Sequence, residues 1–205
     1  MPGTENGGGL RRIRWALWGL VVLAVLVVAW IQVIGPRLSA LPDAGTANLG
    51  RGDYRLAATD GSAFTQDSLK GAPSAVFFGF TNCPDVCPTT LGDIAGWQEE
   101  FAAKGKPLRA YLVTVDPERD TPERLRDYVS WVPGVVGVTG APDEVAKAVK
   151  AFRVYARKVQ TEDGYTMDHS AMVLLFDAEG RYAGLVGYQE DPARTRATLE
   201  ALLGA

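Results

Sequence analysis

Apolar residues fill positions 15 to 34, WALWGLVVLAVLVVAWIQVI, with Gln32 as the one clearly polar side chain. A helix of this length spans about 30 Å, which matches the hydrocarbon core of a bilayer. Trp15, Trp18 and Trp30 lie towards its ends, where indole rings favour the membrane interface. The pattern predicts a single transmembrane anchor at residues 15–34.

The charges around this span predict its orientation. Three arginines precede it and one follows it: Arg11, Arg12, Arg14 and Arg37. Because basic residues favour the cytoplasmic side, we expect residues 1–14 to be a cytoplasmic tail, with residues 50–205 in the periplasm beyond the inner (cytoplasmic) membrane. A cleaved signal peptide is the alternative, but LSA at 38–40 is a poor cleavage site. Residues 35–49 contain glycine and proline and are expected to form a linker.

Beyond residue 50, short apolar and β-branched runs alternate with amphipathic segments. The runs at 74–80, 108–115 and 134–138 predict buried strands, and the segments at 87–103, 122–131 and 142–153 predict helices. Pro122, preceded by the good capping residue Thr121, and Pro142 are suited to a first helical turn. Strands that alternate with helices predict βαβ units and a parallel sheet.

The last third of the chain has a different pattern. An alternating strand at 154–160 is followed by an Asp-Gly turn at 163–164, and a buried strand at 171–177 is joined by AEG to a strand at 181–188, which predicts an antiparallel hairpin. Asp191 and Pro192 are expected to begin a closing helix that reaches about Leu203. A parallel half followed by a hairpin and a helix predicts an α/β domain with the thioredoxin-like fold, a central mixed sheet flanked by helices.

Composition and charge narrow the function. The chain is 47% hydrophobic and 22% charged, with a formal net charge of −3, as expected for an ordinary folded protein. Four of its 21 basic and two of its 24 acidic residues precede residue 50, which leaves the predicted domain with a net charge of −5. This balance argues against a nucleic-acid partner and favours a soluble partner or a cation.

The two cysteines of the chain, Cys83 and Cys87, follow the predicted strand at 74–80 in the stretch GFTNCPDVCPTT. Such a pair is a disulfide, a metal site or a redox couple, and an exported location oxidises it unless it is kept reduced or metal-bound. If the pair opens a helix, positions i and i+4 share one face, and the helix N-terminus lowers the thiol pKa. A disulfide across so short a loop stabilises the fold little, so we favour chemistry at the pair.

The single histidine, His169, lies just before the predicted strand at 171–177. In a thioredoxin-like domain this segment faces the loop that carries the cysteines, so we expect the imidazole beside the two thiols. Two thiolates and one imidazole form a soft ligand set that favours copper, as Cu(I) or Cu(II), with one ion per chain. Zinc usually takes a fourth protein ligand or an open position with a nearby general base, and the sequence indicates neither.

Five further residues could contribute to such a site: Asp85, Arg119, Met167, Asp168 and Met172. Asp85, between the cysteines, could instead stabilise the start of the helix, and we favour this interpretation. The carboxylate before the histidine could orient the imidazole or belong to a strand-end turn. The thioethers of Met167 and Met172 could be weak copper ligands, although core packing explains Met172 better. The arginine, within DPERDTP, could dock a partner or belong to a loop that enters a helix.

Three stretches, FTNCPDVCPTTL, VTVDPERDTPERLRDYV and YTMDHSAMVLLFDAEGRYAGLVG, together resemble the Sco/SenC family of membrane-anchored copper proteins. The resemblance extends over most of residues 50–205. It implies a thioredoxin-like fold with copper bound by Cys83, Cys87 and His169. It also implies a role in building the dinuclear copper site of cytochrome c oxidase, with the copper-bearing subunit of that enzyme as partner, and a further copper chaperone or a thiol reductase as other partners.

Two functions remain open at this point. In the first, the protein is a metallochaperone that carries copper on the three residues. In the second, Cys83 and Cys87 form a thiol–disulfide oxidoreductase that reduces the cysteines of the copper-receiving protein. Thioredoxin-type enzymes use C-x-x-C and usually a proline where this chain has His-Ser, so the longer spacing and the histidine both favour metal.

Overall fold

The computed structural model describes residues 7–33 and 45–204, which divide into two units. Four parts of the predictions lie outside the described residues: the start of the tail at 1–6, Ile34 of the anchor, residues 35–44 of the linker, and Ala205 of the domain. The second unit begins at Gly45, and Leu49 is already part of its buried core.

The first unit is helix α1, Gly7–Val33. Its segment Arg12–Trp30 has a mean hydropathy of 2.1, and its side chains are exposed throughout. Among the described residues this is the one helix that is long and apolar enough to cross a membrane. The helix begins at Gly7, N-terminal to the predicted span, although its first residues are glycines, which are poor helix formers.

Seven strands of the described residues form one mixed sheet in the second unit. They are β1 Leu56–Ala58, β2 Ala63–Phe64, β3 Ser74–Gly79, β4 Arg109–Thr114, β5 Val135–Thr139, β8 Val173–Phe176 and β9 Tyr182–Val186. Their order is β2-β1-β5-β4-β3-β8-β9. Strands β3, β4 and β5 are parallel to one another, and the other pairs are antiparallel. The five predicted strands of the central sheet are confirmed, including the β8–β9 hairpin.

The described part of the second unit contains four helices: α2 Val86–Ala103, α3 Pro122–Val129, α4 Pro142–Ala151 and, after the last strand, α5 Pro192–Leu203. The last three begin with the predicted prolines. Backbone N–H groups of the first turns of α3 and α5 donate hydrogen bonds to the side chains of Thr121 and Asp191. The ends of α3 and α4 differ from the prediction by the usual variation in where a helix end is assigned.

A two-stranded sheet, separate from the central one, carries the histidine. It pairs β6 Ala156–Thr161 with β7 Gly164–His169 in an antiparallel hairpin, and Ala156 lies opposite His169. The strand predicted at 154–160 is present from Ala156, whereas the turn lies at 162–163, one residue earlier than predicted, because Gly164 already pairs with Thr161 as the first residue of β7. The strand β7 was not predicted, because its residues show no clean alternation of apolar and polar side chains.

The core lies on both faces of β3, whose six residues are all buried. Phenylalanines make up most of the largest fully buried side chains: Phe64, Phe77, Phe78, Phe80, Phe101, Phe152 and Phe176. Burial of a side chain of this size contributes about 2–3 kcal/mol each. The buried strand β3 therefore gives a rigid base for the loop that follows it, which carries the first cysteine.

Candidate metal centre

The loop between β3 and α2 carries the two cysteines on a fixed backbone. The N–H and hydroxyl of Thr81 both donate hydrogen bonds to the carboxylate of Asp120, at 3.1 and 2.6 Å. The N–H of Cys83 donates to the carbonyl of Phe80 at 3.2 Å, which closes a tight turn. Both cysteines are free thiols, with Cys83 half-buried and Cys87 fully buried.

The expectation that both cysteines lie on one face of a helix is wrong. Helix α2 begins at Val86, so Cys87 is in its first turn and Cys83 lies in the loop before it. Asp85 is the N-cap residue, as the interpretation we favoured from the sequence requires, although its side chain makes no capping hydrogen bond. The two thiols still lie together, because the sulfur of Cys83 accepts a hydrogen bond from the backbone N–H of Cys87 at 3.3 Å.

The expected lowering of the thiol pKa is wrong for Cys87. Burial raises the pKa of this thiol well above its ordinary value, because desolvation outweighs the lowering effect of a hydrogen bond with the backbone of Phe80. Helix α2 packs so closely on β3 that a Cβ atom at Gly79 would lie 2.9 Å from the sulfur of Cys87. Glycine at this position is therefore required for the thiol to occupy its place.

This difference in burial predicts unequal reactivity of the two thiols. In the reduced, metal-free protein, N-ethylmaleimide is expected to modify Cys83 at least about tenfold faster than Cys87, because the thiol of Cys87 is buried and its pKa is raised. Peptide mapping after timed quenching measures both rates. The control is the same reaction in denaturant, where the two rates should converge. Equal rates in the folded protein would contradict the buried position of Cys87.

The imidazole of His169 has a fixed orientation beside this pair. Its Nδ1 lies 2.9 Å from the carbonyl oxygen of Ser170, which can only accept, so Nδ1 carries the hydrogen. In the neutral ring, Nε2 is then free to act as a ligand, and it lies 3.7 Å from the sulfur of Cys87. The rings of Phe77 and Phe80 meet the imidazole edge-on, at centroid distances of 6.2 and 5.7 Å.

The carbonyl of Ser170 therefore orients the imidazole, which is the role that we considered for Asp168 from the sequence. The side chain of Asp168 is exposed and lies 3.7 Å from the guanidinium of Arg157 across the β6–β7 hairpin. A backbone carbonyl is present in every residue, so no sequence signal could have identified this partner of the imidazole.

The structure brings together Cys83, Cys87 and His169, whose ligand atoms all lie within 4.8 Å of one another. In the described part of the chain this is the one group of at least three His, Cys, Asp or Glu residues that could hold a metal ion. Ligands bound to one ion at about 2.0–2.3 Å lie no more than about 4.6 Å apart. The three donors thus fit a single ion after small side-chain adjustments.

The remaining sequence candidates have other surroundings. Met167 lines a groove beside Val145 and Val149 of α4, and Met172 packs against the buried core. Arg119 is half-buried, its Nε donates to the carboxylate of Asp116, and its guanidinium lies over the ring of Tyr165. These contacts favour the loop interpretation of DPERDTP, and a docking role for this arginine stays a prediction.

Comparisons with known proteins show what the chain is similar to. Residues 42–204 match a family model described as SCO1/SenC. The SCO1 protein of yeast mitochondria is 38% identical over 152 residues, which are 72% of this chain and 51% of that protein. The SCO2-like protein of Rickettsia conorii is 33% identical over 175 residues, 80% of this chain and 85% of that protein. The chain thus spans about half the length of the yeast relative and most of the bacterial one.

A solved structure extends the similarity to the fold. Bradyrhizobium japonicum ScoI with copper bound is 41% identical, with a TM-score of 0.68, and the similarity covers 76% of this chain and 99% of that one. The predicted thioredoxin-like fold, with an apolar helix before it, is confirmed.

Proposed function

The chain belongs to the SCO1/SenC family, and on that premise we propose that it is a membrane-anchored metallochaperone that binds one copper ion and delivers it to cytochrome c oxidase. The observation that carries the proposal is the convergence of Cys83, Cys87 and His169 within 4.8 Å. A solved relative, Bradyrhizobium japonicum ScoI, holds copper. The resemblance to the Sco/SenC family supports the copper-bearing oxidase subunit as the acceptor.

Copper suits these ligands better than zinc does. Two thiolates and an imidazole are soft or borderline donors, which Cu(I) accepts in a three-coordinate site. A structural zinc site would need a fourth protein ligand, and no fourth His, Cys, Asp or Glu joins the group within residues 45–204. Both thiols must lose their protons on binding, so copper affinity should rise with pH.

The unequal burial of the ligands supports a stepwise transfer. Cys83 and His169 are half-buried, whereas Cys87 is fully buried. An incoming thiolate or imidazole from the acceptor can therefore approach the copper from the side of Cys83 and His169 and replace them first. Cys87 is then the last ligand to release the ion. The exchange needs no change in the copper oxidation state.

Helix α1 supports the proposed location. Its segment Arg12–Trp30 has the length and composition of a membrane span, and Arg12 and Arg14 at its start favour an N-terminus in the cytoplasm. The copper domain would then lie in the periplasm, on the outer side of the inner membrane. Alkaline phosphatase fused after Ala205 should be active in that orientation and inactive in the opposite one.

A thiol–disulfide oxidoreductase remains the second candidate, because one thiol is accessible and the other is buried. The thiolate of Cys83 would attack a disulfide of the acceptor and release one acceptor thiolate. Cys87, as thiolate, would then attack the mixed disulfide, releasing the second acceptor thiolate and leaving a Cys83–Cys87 disulfide. Two electrons pass to the acceptor, and an external dithiol reductant must restore the pair.

A transfer assay separates the two functions. The full chain in nonionic detergent, loaded with one Cu(I), is mixed with the reduced, copper-free copper domain of the oxidase subunit, and copper in each protein is measured after separation. We expect most of the copper on the acceptor. Copper that stays on the chain would contradict delivery. In parallel, reduction of the oxidised acceptor by the copper-free chain would instead support the oxidoreductase.

A further inference from the structure

We propose that the segment Asp116–Asp120 is the positioning element of the site, because it binds the cysteine loop with one buried carboxylate and the histidine hairpin with another. The inference rests on the proposed function, since it concerns how the same three ligands are held at the right separation. The segment follows strand β4 and precedes helix α3, and none of its residues belongs to the candidate ligand set.

The first contact is with the cysteine loop. Asp120 is fully buried, and its carboxylate accepts from both the N–H and the hydroxyl of Thr81, two residues before Cys83. It also accepts from the hydroxyl of Thr114 in β4 at 2.7 Å. One carboxylate thereby joins the loop that presents Cys83 to a central strand of the sheet.

The second contact is with the hairpin that carries His169. The phenol of Tyr165 donates to the carboxylate of Asp116 at 2.9 Å, and Asp116 itself is 1% exposed. Arg119 donates from Nη1 to the backbone carbonyl of Tyr165 at 3.0 Å, and its guanidinium lies 3.9 Å from the centre of that ring. At the outer edge, Lys158 of β6 donates to Glu118 at 2.6 Å.

The alternation of side chains along β7 links the contacts of Tyr165 to the position of His169. Side chains alternate along a strand, so Tyr165, Met167 and His169 lie on one face of β7. Fixing the ring of Tyr165 therefore fixes the face from which the imidazole reaches the thiols. Burial and the bond to Asp116 raise the pKa of Tyr165 to about 12, so its phenol remains a hydrogen-bond donor across the physiological range.

The segment is itself held by the central sheet. The N–H of Asp116 donates to the hydroxyl of Thr114 at 2.9 Å, and the hydroxyl of Thr139 in β5 donates to the carbonyl of Asp120 at 2.8 Å. Both ends are thus bound to buried strands. A segment fixed in this way sets the separation between the cysteine loop and the hairpin that carries the histidine. Cys87 and His169 are 82 residues apart in the sequence.

The test uses Tyr165→Phe in the full chain in detergent, because it removes the bond to Asp116 and keeps the ring under Arg119. Since the chain has one histidine, the imidazole signals in a proton–nitrogen NMR spectrum belong to His169 alone. We expect them to shift and broaden in the metal-free variant. We also expect Cu(I) affinity to fall about 10- to 100-fold, as for loss of an outer partner of a ligand.

Tyr155→Phe is the matched control, because Tyr155 precedes the same hairpin and is 51% exposed. It should leave the imidazole signals and the Cu(I) affinity unchanged. In the His169→Ala background, Tyr165→Phe should cost no further affinity, because its effect passes through the imidazole. A merely structural tyrosine would weaken binding equally in both backgrounds, and that result would overturn the proposal.

A second variant tests the contact between Asp120 and the cysteine loop. Thr81→Val removes the hydroxyl bond to Asp120, and it should change the alkylation rate of Cys83 while leaving the signals of His169 unchanged. If the parent chain binds copper tightly, two unchanged variants would refute the positioning role alone. These are Tyr165→Phe with unchanged imidazole signals and Cu(I) affinity, and Thr81→Val with an unchanged alkylation rate of Cys83. Absence of copper binding in the parent chain would refute the proposed function, whereas the NMR and alkylation results would still decide the positioning role.

Discussion

Asp120→Ala is expected to lower the free energy of unfolding by about 3 kcal/mol or more. The carboxylate is fully buried and accepts three hydrogen bonds, two from Thr81 and one from Thr114. Hydrogen bonds to a charged group contribute about 1.5–3 kcal/mol each and are not additive. The alanine variant would leave two hydroxyls and one N–H without this partner, and the hydroxyl of Thr114 lies where water does not reach.

Guanidinium unfolding of the full chain in detergent, followed by circular dichroism, measures this change. Asp127→Ala is the control, because Asp127 is an exposed carboxylate of α3 and surface substitutions usually change stability by no more than about 0.5 kcal/mol. A loss below about 1 kcal/mol for Asp120→Ala would show that the buried network contributes little to the fold.

Cys87→Ser is expected to lower the affinity for Cu(I) by more than about 100-fold. Loss of an outer partner of a metal ligand already costs about 10- to 100-fold, and this change removes a ligand itself. Serine is close in size to cysteine, but its hydroxyl is a hard, neutral donor that Cu(I) binds poorly. The buried position of Cys87 prevents another side chain from easily taking its place.

Anaerobic competition with a chromogenic Cu(I) chelator measures the affinity of the parent chain and the variant. Met172→Leu is the matched control, because this residue packs against the core and its thioether is not expected to bind copper. Unchanged affinity in Cys87→Ser would exclude this thiol from the site. A loss in Met172→Leu comparable to that in Cys87→Ser would add the thioether to the ligand set.

The elements that the sequence predicts well have strong local signals. Strand β3 is apolar throughout, and helices α3, α4 and α5 each begin at a proline that suits the first helical turn. Strands β1 and β2 have three and two residues, too few for periodicity to be visible. They form through pairing with β5 and with each other, which depends on the tertiary fold.

The site shows the same division between local and non-local information. Residue type identified Cys83, Cys87 and His169 as candidates, and the fold predicted their proximity. The carboxylates of Asp116 and Asp120 were assigned only to a loop, because burial of a polar residue after a strand leaves no pattern in the sequence. The raised pKa of Cys87 was not predicted for a related reason. The thiol is buried because α2 packs closely on β3 at Gly79, whereas the sequence indicates only that the thiol lies near a helix N-terminus.

Copper-edge X-ray absorption of the full chain, loaded anaerobically with one equivalent of Cu(I), tests the three-ligand site most directly. The account predicts a mononuclear, three-coordinate ion with two sulfur ligands and one nitrogen ligand, from Cys83, Cys87 and His169. In the His169→Ala variant the nitrogen contribution should disappear while the two sulfurs remain. A first shell without sulfur, a copper–copper distance typical of a cluster, or a nitrogen that persists in His169→Ala would contradict it.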